Sequence, residues 1–147
     1  MTTTYLLDTN IISHMMRETT GIASQAFAAI ARNDATHAVQ TSIVVLCELR
    51  FGLLRKPNQR LDDALARILT GIEVLPLDHQ VVAHYASLRT HLEAQGQAIG
   101  PNDTFIAAHA LAVGATLVTA DAEFNRVPSL RVENWLAADP QPSLIEK

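Results

Sequence analysis

A chain of 147 residues holds one domain with a core of its own and is too short for two comfortable ones. Apolar residues make up 48% of it, yet no run approaches the roughly 18 apolar residues of a membrane-spanning helix. Eleven Lys and Arg against fifteen Asp and Glu give a net charge of −4. That balance argues against a nucleic-acid coat or a membrane-surface protein, but not against an enzyme with a local basic surface. The N-terminus shows no secretory signal pattern, so a cytoplasmic setting is the default expectation. The single cysteine, Cys47, excludes an internal disulfide and a cysteine-based zinc site. Near Leu46 and Leu49 it reads as a small buried hydrophobe.

Tyr5-Leu6-Leu7 has the profile of a strand buried on both faces, as in the middle of a parallel sheet. Asp8 follows where that strand should end, at the edge where open α/β sheets bind ligands. It also suits the N-cap of a short helix over Ile11 to Met16. Thr19 or Thr20 can cap a second helix to Arg32, which Asn33-Asp34 breaks. A strand over His37 to Thr41 comes next, and Ser42 caps a helix from Ile43 to Leu54. Within that helix Glu48 has Val44, Val45 and Phe51 as neighbours one turn away, an apolar setting unusual for glutamate. Either Arg50 or Arg55 satisfies it, or it is aimed at the same crevice as Asp8.

Arg50, Arg55, Lys56 and Arg60 form the chain's only concentrated basic stretch. It reads as a solvated helix end or as a phosphate-backbone contact. Leu61 to Leu69 is an amphipathic helix stopped by Gly71, and Ile72 to Leu75 is a short strand. Asp78 caps a long helix to Gln95, with Val81, Val82, Tyr85, Leu88 and Leu92 inward and Gly96 as the stop. The histidines make no recognisable metal cluster and read as structural or exposed. Gly100-Pro101-Asn102 is loop chemistry before an Ala-rich helix, which puts Asp103 in its first turn. Gly114 ends that helix. Ala115 to Thr119 is another buried strand followed by an acid, Asp121. Leu130 to Glu133 alternates like a sheet edge, Trp135 covers the core, and Ala137 to Lys147 reads as a loose tail after a single domain over residues 1–136.

Asp8, Glu48, Asp103 and Asp121 are thus candidates for one place. Each has an ordinary structural explanation, but four such coincidences in a short chain point to a site. Clustered carboxylates repel unless a cation or protons intervene. Oxygen ligands without Cys or His select Mg²⁺ or Mn²⁺ over zinc. The chemistry this suggests is metal-assisted attack of water on a phosphodiester. Thr9 and Thr119 can orient the acids or a bound water through their hydroxyls.

The blocks Tyr5-Leu-Leu-Asp-Thr-Asn10, Cys47-Glu48-Leu49-Arg50-Phe51-Gly52, Gly100-Pro-Asn-Asp-Thr-Phe-Ile-Ala-Ala-His109 and Leu117-Val-Thr-Ala-Asp121 occur in that order, and Phe124 to Trp135 completes the set. The chain resembles the PIN-domain ribonucleases, and among them the VapC toxins of toxin–antitoxin pairs. The resemblance implies a three-layer α/β fold with a five-stranded parallel sheet in order 3-2-1-4-5. It implies a metal-dependent endoribonuclease whose acids map onto Asp8, Glu48, Asp103 and Asp121, with Glu123 able to assist or replace Asp121. It further implies an RNA substrate, in some relatives the initiator tRNA anticodon loop. A homodimer and a VapB-like antitoxin inserting a segment at the active site complete what the likeness suggests. Two other classes compete: a PIN-fold binding module without catalysis, and an aspartyl-nucleophile phosphatase. The phosphatase generally wants an acid two residues after its nucleophile, where this chain has Asn10.

Overall fold

The computed structural model describes residues 3–32 and 37–137. Five strands form one sheet in the order β3-β2-β1-β4-β5: β1 Thr3–Leu7, β2 His37–Ser42, β3 Glu73–Leu75, β4 Thr116–Val118 and β5 Val132–Glu133. Every pairing is parallel. Between the strands run α1 Thr9–Arg17, α2 Ile22–Ala31, α3 Ile43–Arg55, α4 Gln59–Leu69, α5 His79–Ala94 and α6 Pro101–Val113, with a 3₁₀ turn over Ala122–Arg126. The expected sheet order is the observed one.

Adjacent residues of a strand point to opposite faces. Leu6 and Leu7 are both fully buried, as are Leu117 and Val118 of β4, so helices cover the sheet on both sides. This is why β1 reads as an unbroken apolar run instead of an alternation. Phe124, Ile11, Ile12, Leu65, Leu92 and Ile106 fill the space between the layers. Tyr5 and Trp135 bring their rings to 5.7 Å, which closes the sheet's β5 side.

Register decides what meets at the sheet's carboxyl edge. Leu7 pairs with Val118 across β1 and β4, and with Thr41 across β1 and β2. The next residues, Asp8, Thr119 and Ser42, therefore come out side by side. Strand order reverses at β1, whose successor β2 lies on one side and β4 on the other, and a crevice opens at such a point. Ser42 Oγ accepts from Val44 N at 3.1 Å as the cap of α3, and lies 2.8 Å from His109 Nδ1 of α6. Burial lowers the His109 pKa, which favours its neutral ring.

Several local expectations are corrected. Gly21, not Thr19 or Thr20, is the N-cap of α2, and no side chain caps that helix. Cys47 is exposed. It lies on the outer stripe of α3 with Arg50, Phe51 and Leu54, so proximity to Leu46 and Leu49 in sequence misleads. Val82 is 58% exposed, whereas Val81, Leu88 and Leu92 are buried as expected. Helix α4 ends at Leu69, but Gly71 is not left-handed; a Cβ there would stand 3.0 Å from Phe27 Cζ. The Asn33-Asp34 break and positions 138–147 of the tail lie outside the described residues.

Gly96 and Gly114 do adopt positive φ, 66° and 69°, as helix stops. A Cβ at Gly114 would meet nothing within 4 Å, so only the backbone resists substitution. Gly114→Ala is expected to cost about 1–2 kcal/mol, read as a lower urea midpoint at unchanged m-value; an unchanged midpoint would show the left-handed cap to be unimportant.

Candidate active site

The acid after β1 is 3% exposed and accepts hydrogen bonds on both oxygens, with a lone pair still free. Asp8 Oδ1 accepts from Thr9 N at 2.7 Å, so Asp8 does cap α1. Its Oδ2 accepts from Thr119 Oγ1 at 2.7 Å and from Asn10 Nδ2 at 3.3 Å. Thr119 Oγ1 in turn accepts from Asp121 N at 3.0 Å. Asn10 Oδ1 accepts from Ala120 N at 3.1 Å, tying the start of α1 to the chain after β4. The capping role and the site role of Asp8 are compatible, since they use different oxygens.

Glu48 reaches this cluster from α3. Its Oε1 accepts from Thr9 Oγ1 and its Oε2 from Asn102 Nδ2 at 3.2 Å. Neither Arg50 nor Arg55 serves it: Arg50 pairs with Asp62 at 2.8 Å, and the Arg55 guanidinium lies 5.5 Å over the Phe51 ring. Val44 and Val45 are buried as the apolar setting required, but Phe51 is 61% exposed and lines the crevice instead of the core. Lys56 and Arg60 are exposed, away from the acids' lining.

Asp103 stands in the first turn of α6, with Pro101 opening the helix and Gly100 at its N-cap. A helix start favours an ionised carboxylate. The surroundings oppose this more strongly, and the Asp103 pKa is pushed up from 3.8 to about 6. Burial is the largest cause, followed by the charges of Asp8, Asp121, Glu48 and Glu123. Asp8 is also raised, chiefly by burial, against the lowering effect of its bonds to Thr119 and Thr9. Asp121 caps the 3₁₀ turn, its Oδ1 accepting from Glu123 N at 2.9 Å.

Asp8, Glu48, Asp103 and Asp121 line one open crevice of about 590 Å³ together with Thr9, Asn10, Ser13, Arg17, Phe51 and Asn102. Carboxylate oxygens of Asp103, Asp121 and Glu123 lie within 4.8 Å of one another. The donors are carboxylates throughout, with no thiolate or imidazole, which fits a hard divalent cation such as Mg²⁺ or Mn²⁺. The neighbouring carboxylates add to burial in raising the Asp103 carboxyl, and a cation among them would oppose both effects. Sequence reading passed over Asn102, Ser13 and Arg17. Asn102 precedes Asp103 on a helix start and reads there as loop chemistry; Arg17 gives no signal beyond its position two turns after Thr9.

A carboxyl whose folded-state pKa is raised holds its proton longer in the folded than in the unfolded chain. Stability of the cation-free protein therefore falls as pH rises from about 4 to about 6. Asp103→Asn is expected to raise the melting temperature above pH 6 by about 2–4 °C, on the order of 1 kcal/mol once solvent screening in the open crevice is counted. The gap closes near pH 4. Mg²⁺ or Mn²⁺ should stabilise the unsubstituted protein more than the variant, in the same thermal melts; equal responses would speak against a cation at Asp103.

The model of the PIN domain matches residues 5–130. Ribonuclease VapC2 of Rickettsia felis is 35% identical over 133 residues, covering 89% of this chain and 97% of that protein. The tRNA(fMet)-specific endonuclease VapC of Salmonella typhimurium is 30% identical over 134 residues, at 89% and 97% coverage. Among solved structures, VapBC2 from Rickettsia felis bound to a DNA fragment from their promoter superposes with a TM-score of 0.82 at 34% identity, covering 90% of this chain and 98% of that one. With the sheet order, the clustered acids and this likeness over nearly its whole length, the chain belongs to the PIN-domain family, in its VapC ribonuclease branch.

Proposed function

We propose that this chain is the toxin of a toxin–antitoxin pair, an endoribonuclease that depends on Mg²⁺ or Mn²⁺ and hydrolyses phosphodiester bonds of RNA. The observation that carries the reading is the convergence of Asp8, Glu48, Asp103 and Asp121, from four distant segments, on one crevice. Asp8, Glu48, Asp103 and Asp121 would hold the cation, with Glu123 beside Asp103 and Asp121. A bound cation would supply Lewis acidity, lowering the pKa of an attacking water and absorbing charge that builds on the phosphate. The chain's own groups fix the geometry. Thr119 Oγ1 and Asn10 Nδ2 hold Asp8 Oδ2, while Thr9 and Asn102 hold the two oxygens of Glu48. Such hydrogen bonds orient ligating carboxylates and lower the cost of gathering them.

Asn10 is fully used in this clamp and cannot give a proton, which leaves the phosphatase reading without its acid. Outside the crevice, Arg55, Lys56 and Arg60 remain candidates for the RNA backbone; Arg50 is the weakest of the four because Asp62 engages it. Transfer RNA is the substrate we favour, since the Salmonella relative is named for cleaving tRNA(fMet). A VapB-like antitoxin is the expected partner, because structural neighbours were solved as VapBC complexes. A homodimer working in the cytoplasm belongs to the same reading.

Asp8→Asn keeps the cap and loses the charge. It is expected to reduce RNA cleavage by a thousandfold or more, on the order of a lost metal ligand's contribution, while circular dichroism stays native. Full activity of that variant would overturn the assignment. EDTA should silence the protein and Mg²⁺ or Mn²⁺ restore it, whereas cleavage that persists in chelator would exclude metal dependence. End-mapping of cellular RNA after brief induction should find a unique cut in one tRNA; cuts spread over messenger RNA would redirect the substrate.

A further inference from the structure

Phe51, Arg17 and Ser13 line the crevice beside the carboxylates. Phe51 leaves 61% of its surface open although a helix face could have carried a polar residue there. The next residue is odder. Gly52 sits in the interior of α3, one turn after Glu48 and so on the same side of the helix. A Cβ at Gly52 would meet nothing within 4 Å, and its φ is not positive. Neither packing nor backbone geometry asks for glycine, which is among the poorest helix formers. The helix thus keeps a bare patch next to an exposed ring, at the wall that carries Glu48. Arg55, 5.5 Å over the ring, steadies it. On the opposite element, Thr9, Ser13 and Arg17 recur every four residues along α1, a polar stripe running out from Asp8, and the Arg17 guanidinium bonds Ser13 Oγ.

We propose that Phe51, Gly52 and Arg17 form a subsite for one unpaired nucleotide of an RNA strand. Its base stacks on Phe51 across the bare helix surface at Gly52, and Arg17 meets a neighbouring phosphate. This rests on the ribonuclease reading and specifies how that crevice takes its strand. A base inside a duplex has both faces covered by its neighbours, whereas an unpaired base offers a face to an aromatic ring. The subsite therefore selects single-stranded RNA, and the acids then act on a bond beside the stacked nucleotide.

The test is fluorescence anisotropy with a short labelled single-stranded RNA and the same sequence as a duplex, all in the Asp8→Asn background so that nothing is cut. Phe51→Ala should weaken single-strand binding about tenfold, and Phe51→Trp should keep it. Gly52→Leu should raise the melting temperature, since a better helix former faces open space, and still weaken binding by a similar factor. Arg17→Gln should flatten the slope of log affinity against log salt by about 0.7, one phosphate contact. Duplex binding should not respond to Phe51 or Gly52. The unsubstituted protein in Mg²⁺ separates the two readings. If it cleaves the strand while Phe51→Ala and Gly52→Leu bind like their parent, the subsite is overturned alone. If it does not bind the strand yet cleaves cellular tRNA, the subsite again falls alone; if it cleaves neither the strand nor tRNA, the ribonuclease reading and the subsite fall together.

Discussion

Carboxylates on Asp8, Glu48, Asp103 and Asp121 repel one another across a single crevice, and the fold holds them there against that repulsion. The parallel sheet makes this possible. Buried strands β1 and β4 end in register, so the chain must deliver Asp8 and Thr119 to the same rim, and the reversal of strand order leaves room between them. Helix α6 brings Asp103 by its first turn, and α3 brings Glu48 by its middle. None of these segments can retreat without unpacking a core that contains Leu6, Leu7, Val118 and Ile106. Burial first, and the neighbouring carboxylates second, push the Asp103 carboxyl up to about 6. A divalent cation in the crevice would relieve the repulsion among these acids, which is how the architecture would serve the metal-assisted hydrolysis proposed above.

Neutral polar side chains, not cations, manage the cluster in the protein itself. Thr119, Asn10, Thr9 and Asn102 each donate to a carboxylate oxygen, and each comes from a position fixed by a strand end or a helix start. Arginines at the same positions would neutralise the acids and compete with a metal ion. Arg50 and Arg55 are directed elsewhere, to Asp62 and to Phe51. The crevice stays negative toward a cation, while Arg17 alone of its lining residues carries a positive side chain able to meet a phosphate. That division suits the proposed binding of both an ion and a polyanion.

The buried strands and the places of the acids were legible in the sequence from local patterns, while the sheet order came from the resemblance to the PIN-domain ribonucleases. An apolar run ending in Asp, twice, marks buried strands that stop at the carboxyl edge, and Gly-Pro-Asn before an Ala-rich stretch marks a helix start. Helix faces were harder. Cys47, Phe51 and Val82 are apolar, and burial is the default for such residues, yet each faces outward because the heavier stripe of its helix is Val44, Val45 and Leu49 or Val81, Leu88 and Leu92. The partners of Glu48 were illegible for another reason. Sequence proximity favoured Arg50 and Arg55, whereas Thr9 and Asn102 reach it only through tertiary packing. Glu123 stood out beside Asp121 in sequence, and the 3₁₀ turn does bring its carboxylate to those of Asp121 and Asp103.

The central claim is that these acids grip one divalent ion together. Anomalous diffraction at the manganese edge, from crystals grown with Mn²⁺, addresses it without reference to activity. The expected result is a peak enclosed by oxygens of Asp8, Asp103 and Asp121, lost in crystals of Asp103→Asn. A peak at another surface, or none among the carboxylates at saturating Mn²⁺, would contradict the claim.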